Sequence, residues 1–154
     1  MIEPAAIQDL VSRWWFNYDE GNFKVLAELL TEDVHFSCRT DSGATDYEEF
    51  VRADYRGRNE VMAWQTDHRE HSPYPLRHNG TNVHVTHADA DSADFRSYIF
   101  VTQIVGSQVS NLSTARVTGR VRQENGSLRL SALHVVLDTA DSVEFDAVPG
   151  HRAD

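Results

Sequence analysis

The sequence changes character at Pro73 and Pro75, and this change limits the folds that the chain can adopt. Before the two prolines, apolar residues recur every three or four positions, which is typical of amphipathic helices. After them, runs of β-branched, aromatic and polar residues separated by turn residues predict strands. Helices followed by long antiparallel strands indicate an α+β fold. We expect a strongly curved antiparallel or mixed sheet that wraps around the N-terminal helices and leaves a pocket between them.

Caps and breakers place the individual elements. The predicted elements are a helix from Pro4 to about Gly21, a helix capped by Asn22, a strand over 34–38, a short helix through 47–51, a helix starting near Arg58, and strands over 76–86, 93–105, 109–122 and 127–139. No internal repeat or linker marks a domain boundary. The sequence therefore predicts one domain over residues 1–140 and a polar C-terminal tail over 141–154.

Charge and cysteine content exclude several classes of partner. The chain has 154 residues and a formal net charge of -10, so few basic residues remain to neutralise phosphates. We therefore expect no nucleic-acid partner and no anionic membrane surface. No apolar run has transmembrane length, and the N-terminus lacks the layout of a signal peptide. The single cysteine, Cys38, cannot form an internal disulfide, which favours a cytoplasmic location.

Asp19 is the first candidate for a catalytic residue. It continues an apolar stripe of helix one through Val11 and Trp15, because these three residues are spaced four apart. A carboxylate on such a stripe loses hydration, so its pKa rises towards the range that suits a general acid or base. The alternative is that Asp19 ends the helix and faces solvent beside Glu20.

Several short motifs carry a family resemblance. They are the segments 14–23 and 29–36, Leu76-Arg77-His78, Asn82-Val83 and the Asn125-Gly126 hairpin turn. In this order they resemble the SnoaL-like branch of the nuclear transport factor 2-like superfamily. The resemblance implies a cone-shaped fold of helices and curved sheet around a cavity, and often a homodimer or higher homo-oligomer. It implies less about chemistry, because one fold hosts several activities and some members are not enzymes.

Within that superfamily, the pair Tyr18-Asp19 looks most like that of scytalone dehydratase-type dehydratases. There the Asp pairs with a His at the start of the first long strand, which corresponds to His78. The resemblance implies a cofactor-free lyase or isomerase that moves protons on a small, mostly apolar, carbonyl-containing metabolite. His78 would take the proton while Asp19 orients its ring and Tyr18 polarises the carbonyl, or Asp19 would itself be the base. The alternative is a non-catalytic ligand-binding or assembly module of the same fold.

The pocket walls are predicted partly from this resemblance and partly from the alternation of residues along the strands. Those dehydratases have a second tyrosine where this chain has Cys38, and a Ser/Asn pair near Ala115 and Val117. Cys38 is expected to be a small pocket or core residue, since no basic cluster lies near it in the sequence. The predicted substrate-binding residues are Tyr18, Trp14, Cys38, Tyr55, Tyr98 and His134.

Two further patterns bear on the histidines. On a regular strand, Val83 and Val85 share one face while His78 shares the other, so His78 points away from the core unless a bulge at Gly80 reverses the alternation. His68 and His71 share a helix face, but no third ligand stands at a suitable spacing. We therefore predict no metal site and solvated histidines in that segment.

Overall fold

The fold is described by a computed structural model that covers residues 2–149. Its elements are α1 (Pro4–Asp19), α2 (Phe23–Glu28), β1 (Leu30–Thr40), α3 (Glu48–Val51), β2 (Ala53–Arg56), α4 (Arg58–Glu70), β3 (Leu76–Ala88), β4 (Ser92–Val105), β5 (Gln108–Glu124), β6 (Ser127–Leu137) and a 3₁₀ turn (Phe145–Ala147). Of the predicted tail over 141–154, residues 150–154 lie outside the described residues. Between residues 2 and 149, no helix combines the length and apolar character needed to cross a membrane.

The six strands form one mixed sheet in the order β2-β1-β6-β5-β4-β3. All neighbours are antiparallel except β1 and β6, which run parallel. The sheet is curved and does not close on itself. The predicted α+β fold with a curved mixed sheet around the first helices is therefore confirmed.

Helix α1 packs against the sheet, mainly on β3. Its buried face consists of Ile7, Leu10, Val11, Trp14, Trp15, Tyr18 and Asp19, at the spacings that the sequence predicted. Gly80 of β3 allows this close approach, because a Cβ atom there would lie 3.1 Å from Cδ1 of Trp15. The C-terminal end of α1 is thereby held over the first residues of β3.

A bulge in β3 reverses its alternation at Asn82. Asn82 has a φ of 56°, in the left-handed region that asparagine tolerates better than most residues, and the register with β4 shifts between Thr81 and His84. Val83 and Val85 pack against the core beyond the bulge, and His78 faces the same side before it. The sequence left the orientation of His78 open, and the reversal that brings it to the same side as these valines occurs at Asn82 rather than at Gly80.

Two elements differ from the sequence prediction. Strand β1 is longer than the predicted 34–38, since it covers Leu30–Thr40. Strand β2 (Ala53–Arg56) was not predicted; its four residues are too few to show an alternation. It pairs with the outer edge of β1, where Tyr55 lies opposite Phe36.

Gly119 offers a test of how tightly the sheet is packed. A Cβ atom at Gly119 would overlap the ring of its cross-strand partner Phe95 and lie 3.0 Å from the carbonyl oxygen of Ala132. Phe95 is buried, so its ring has little room to move. We expect Gly119→Ala to lower the free energy of unfolding by about 1–3 kcal/mol in urea titrations. Thr118→Ala, at an exposed neighbouring position, is the control; equal effects of the two changes would contradict the steric explanation.

Candidate active site

A cavity of about 330 Å³ lies between the helices and the inner face of the sheet. Its residues are mostly apolar and aromatic, and no Asp, Glu, Lys or Arg of residues 2–149 lines it. The lining polar side chains that matter below are Tyr18, Gln65, His68 and His78. Three of the lining residues are also exposed to solvent and therefore mark the mouth of the cavity: Tyr47, Phe50 and Leu112. A cavity of this volume with few polar groups is typical of a site for a small organic molecule.

Asp19 and His78 form a buried pair beside this cavity. His78 Nδ1 lies 2.6 Å from Asp19 Oδ1, and the backbone N–H of His78 donates to Asp19 Oδ2 over 2.7 Å. The side chains are only 5% exposed for Asp19 and 12% for His78. Asp19 is therefore not the solvent-facing helix end of the alternative interpretation. Both of its oxygens are engaged by one residue, which fixes the carboxylate in a single orientation.

The carboxylate selects the proton position on His78. An ionised carboxylate only accepts, so Nδ1 carries the hydrogen and, in the neutral ring, Nε2 carries the lone pair. No side chain or backbone group within residues 2–149 hydrogen-bonds to this Nε2. The ring stacks on Trp15 with centroids 4.9 Å apart and planes 5° apart, while Tyr18 meets it edge-on at 5.2 Å. The ring of His78 is thus held in one orientation at the cavity wall.

Arg69 holds the end of α1 that carries Asp19. Its Nε and Nη2 donate to the carbonyl oxygen of Asp19 over 3.0 and 2.8 Å, and its Nη1 donates to the carbonyl of Pro73 over 3.1 Å. The side chain is buried despite its charge. The sequence analysis missed Arg69, since an arginine within a polar helical segment is usually solvated.

A second polar pair, Tyr18 and His68, lines the cavity. The Tyr18 hydroxyl lies 2.5 Å from His68 Nδ1, and the His68 ring is stacked between Phe50 (4.4 Å) and Trp64 (4.5 Å). Burial, and secondarily the nearby His78, lowers the pKa of His68 to about 4. Burial also raises the pKa of Tyr18. Both groups are therefore neutral near pH 7.

The sequence analysis placed His68 wrongly in a solvated segment. His68 lies four residues after Trp64, so the two share one helical stripe, and this spacing was the signal available in the sequence. His71 is exposed and its Nδ1 contacts the backbone carbonyl of Asp67. The two histidines thus do not converge, and among the described residues no group of three or more His, Cys, Asp or Glu is arranged to hold a metal ion.

Two of the six predicted substrate-binding residues lie at the cavity, and four do not. Tyr18 and Cys38 line it. Burial raises the pKa of the Cys38 thiol to about 12, with a smaller contribution from Glu48, so Cys38 is a neutral wall residue rather than a thiolate nucleophile.

The other four predictions of a pocket position need correction. Trp14 is 1% exposed and packs in the core without lining the cavity. Tyr98 alternates with the buried Ser97 and Ile99, so it projects from the opposite face and is 55% exposed. Tyr55 is exposed on the edge strand β2. His134, between the buried Leu133 and Val135, also faces outwards and bonds to Ser37 Oγ at 2.7 Å.

Comparisons with known proteins agree with this architecture. The family model of the SnoaL-like domain matches residues 3–134, whereas no curated protein sequence gives a significant match. Similar solved structures from Novosphingobium aromaticivorans include an NTF2-like protein with a cystatin-like fold (20% identity over 86% of this chain and 80% of that one, TM-score 0.70). A second is a candidate scytalone dehydratase, with 15% identity over 97% of this chain and 94% of that one and a TM-score of 0.71. A third is the beta subunit of a candidate aromatic-ring-hydroxylating dioxygenase, with 14% identity over 90% of this chain and 91% of that one and a TM-score of 0.71.

At these identities the similar structures establish the fold alone, and the family model establishes the family. The match covers most of the chain, including both residues of the Asp19–His78 pair and all of α4. The chain therefore belongs to the SnoaL-like domain family.

Proposed function

We propose that this protein is a lyase or isomerase, of the dehydratase kind, that moves protons on a small, neutral, mostly apolar carbonyl compound. The observation that carries the proposal is the Asp19–His78 pair. Its imidazole has a tautomer fixed by a buried carboxylate, and its Nε2 has no hydrogen-bond partner among residues 2–149 and belongs to a ring at the wall of a mostly apolar cavity. General bases of this kind accelerate reactions by about 10²–10⁴-fold.

His78 is the proposed base, and Asp19 acts through it. Asp19 does not line the cavity, and both of its oxygens already accept hydrogen bonds from His78. It is therefore a positioning residue that stabilises the imidazolium formed when His78 takes a proton. This arrangement favours His78 over the alternative in which Asp19 is itself the base.

The Tyr18–His68 pair supplies the hydrogen-bond donor. If the Tyr18 hydroxyl donates to His68 Nδ1, the neutral imidazole carries its proton on Nε2, which has no partner within residues 2–149. If His68 Nδ1 donates instead, the Tyr18 O–H is released to donate. His68 Nε2 is fully enclosed, so the second tautomer is the one that supplies a neutral donor, the Tyr18 hydroxyl at the cavity wall, to polarise a substrate carbonyl.

The proposed dehydration needs only these groups. His78 Nε2 removes a proton from the carbon next to the carbonyl, and the electron pair passes into an enolate whose oxygen is stabilised by the donor pair. The enolate re-forms the carbonyl, a carbon–carbon double bond forms, and the bond to the β-hydroxyl breaks. The leaving oxygen takes the proton from the His78 imidazolium and departs as water. In an isomerisation, the proton returns to a different carbon.

The non-catalytic alternative is less well supported. A cavity filled by Trp14, Trp64 and Phe100, with Asp19 in bulk water, would have favoured a binding or assembly module. Instead, Trp14 lies in the core, Phe100 is partly exposed on the other face and Asp19 is buried. A homodimer remains a prediction, which light scattering would test.

We expect His78→Gln to lower turnover by about 10²-fold or more, because glutamine keeps polarity but cannot accept the proton. A suitable probe is 4-hydroxy-4-phenylbutan-2-one, whose dehydration gives a conjugated enone that is followed by ultraviolet absorbance. Exchange of α-protons with deuterated water, followed by NMR, measures the first step separately. Asp19→Asn is expected to lower turnover by a similar factor, since the tautomer of His78 is then no longer fixed.

His84→Gln provides the matched control, because His84 is exposed on the same strand beyond the bulge. It should leave the rate unchanged. Wild-type rates in His78→Gln would contradict the proposed base. Ketones that bind to the wild-type protein without exchange or dehydration would identify a binding module instead.

The partly buried His68 predicts a loss of stability in acid. In the folded protein His68 binds a proton only near pH 4, whereas in the unfolded chain it does so near its ordinary pKa of 6.5. The unfolded state therefore binds more protons between these values, and the free energy of unfolding falls as the pH drops from about 7 to about 4. We expect His68 to contribute on the order of 2–3 kcal/mol to this fall.

Urea titrations at pH 7 and pH 4.5 would measure this contribution. His68→Gln should show a smaller acid loss than the wild-type protein, while His71→Gln, at an exposed site on the same segment, should match the wild type. An unchanged pH dependence in His68→Gln would show that His68 is not held neutral by the fold.

A further inference from the structure

Gln65 of α4 is a buried polar residue that the proposed mechanism does not use. It is only 3% exposed and it lines the cavity. Its side-chain amide makes no hydrogen bond to any group within residues 2–149. Neither amide atom belongs to the fully enclosed unpaired atoms of the described residues, so both border open space, and Gln65 is among the residues that line the cavity.

An amide in this position is unfavourable unless a group in the cavity bonds to it. Burial removes the hydrogen bonds that water gives to the unfolded chain, and no group within residues 2–149 replaces them. Its neighbours one turn away differ in this respect: Val61 has no polar group, and the Arg69 guanidinium is bonded to backbone carbonyls. Buried polar groups in native proteins are almost always paired, so an unpaired one at a cavity points to a ligand.

The chemistry of the amide narrows the group that it can recognise. Its N–H₂ donates and its carbonyl oxygen accepts, which is the complement of a hydroxyl group, since a hydroxyl can do both. A carboxylate or phosphate is disfavoured, because no Lys or Arg of the described residues lines the cavity. Gln65 and His68 are three residues apart on one helix, so their Cβ atoms lie about 5–6 Å from each other.

We propose that Gln65 is a specificity-determining residue that hydrogen-bonds a hydroxyl group of the substrate, separate from the carbonyl that the Tyr18–His68 pair contacts. This inference rests on the proposed function and deepens it. The substrate class is then a neutral hydroxylated ketone with an otherwise apolar body, rather than a plain hydrocarbon ketone or an anionic metabolite. A site built to bond a hydroxyl discriminates strongly against a ligand that lacks it.

A thermodynamic cycle between ligand and protein tests this directly. The ligands are 4-phenylbutan-2-one and its three hydroxylated derivatives, which are isomers of one another with the hydroxyl at position 2, 3 or 4 of the ring. Isothermal titration calorimetry measures each affinity for the wild-type protein and for Gln65→Met, which keeps the volume and removes the amide. We expect at least one hydroxylated isomer to bind the wild-type protein about five- to tenfold more tightly than the parent ketone. Gln65→Met should abolish that preference while binding the parent ketone as well as before.

Two controls separate this inference from the proposed function. Gln123→Met, at an exposed position on β5, should keep the preference for the hydroxyl group. His78→Gln should also keep it, because binding does not need the base. Loss of turnover in His78→Gln therefore tests the proposed reaction. Loss of the hydroxyl preference in Gln65→Met tests only the proposed hydrogen bond between Gln65 and the substrate.

A hydroxyl preference that disappears in Gln65→Met but persists in Gln123→Met and His78→Gln supports the proposal. It is overturned if no hydroxylated isomer binds the wild-type protein more tightly than the parent, or if Gln65→Met weakens all four ligands equally. A thermal melt shows whether the variant folds, and Gln65→Met should melt no lower than the wild type because it removes an unpaired amide.

Discussion

The contact between the Asp19 carboxylate and His78 joins the fold to its chemistry. A buried carboxylate without partners would be strongly destabilising. Here the two carboxylate oxygens of Asp19 accept hydrogen bonds from the ring and the backbone of His78, and the backbone carbonyl of Asp19 accepts from Arg69. Three elements, α1, α4 and β3, therefore meet at one residue. The contact that closes the end of α1 onto the sheet also decides which nitrogen of His78 is free to act.

Two backbone features of β3 make this contact possible. Gly80 gives Trp15 room to lie against the strand, and Trp15 in turn stacks on His78. The bulge at Asn82 then restores the orientation of Val83 and Val85 towards the core. Without the bulge, a regular strand would turn either His78 or the two valines away from the interior. The site is thus built into the strand geometry and not added by a loop.

The sequence predicted the elements of this fold better than their mutual contacts. Helix periodicity identified the buried face of α1 and placed Asp19 on it, and the family resemblance supplied His78 as its partner. Alternation showed that Tyr98 and Phe100 share a face, but it could not show which face of the sheet the helices cover. The left-handed conformation of Asn82 depends on the register with β4, which no local pattern reveals. His68 and Arg69 were missed because the polarity of their helical segment predicts exposure to solvent. Their removal from solvent arises only from packing against α1 and α3.

The two histidines of the cavity differ in their surroundings, and this difference assigns their parts in the proposed reaction. The ring of His78 has a carboxylate against it, so an imidazolium there is neutralised as it forms. His68 lies between two aromatic rings with a phenol hydroxyl as its partner, and burial lowers its pKa. A proton taken from the substrate therefore stays on His78 until the leaving oxygen takes it, and does not pass to His68. A positive charge on His78 further disfavours one on His68, so His68 stays neutral and the hydrogen-bond donor of the Tyr18–His68 pair is retained throughout the transfer.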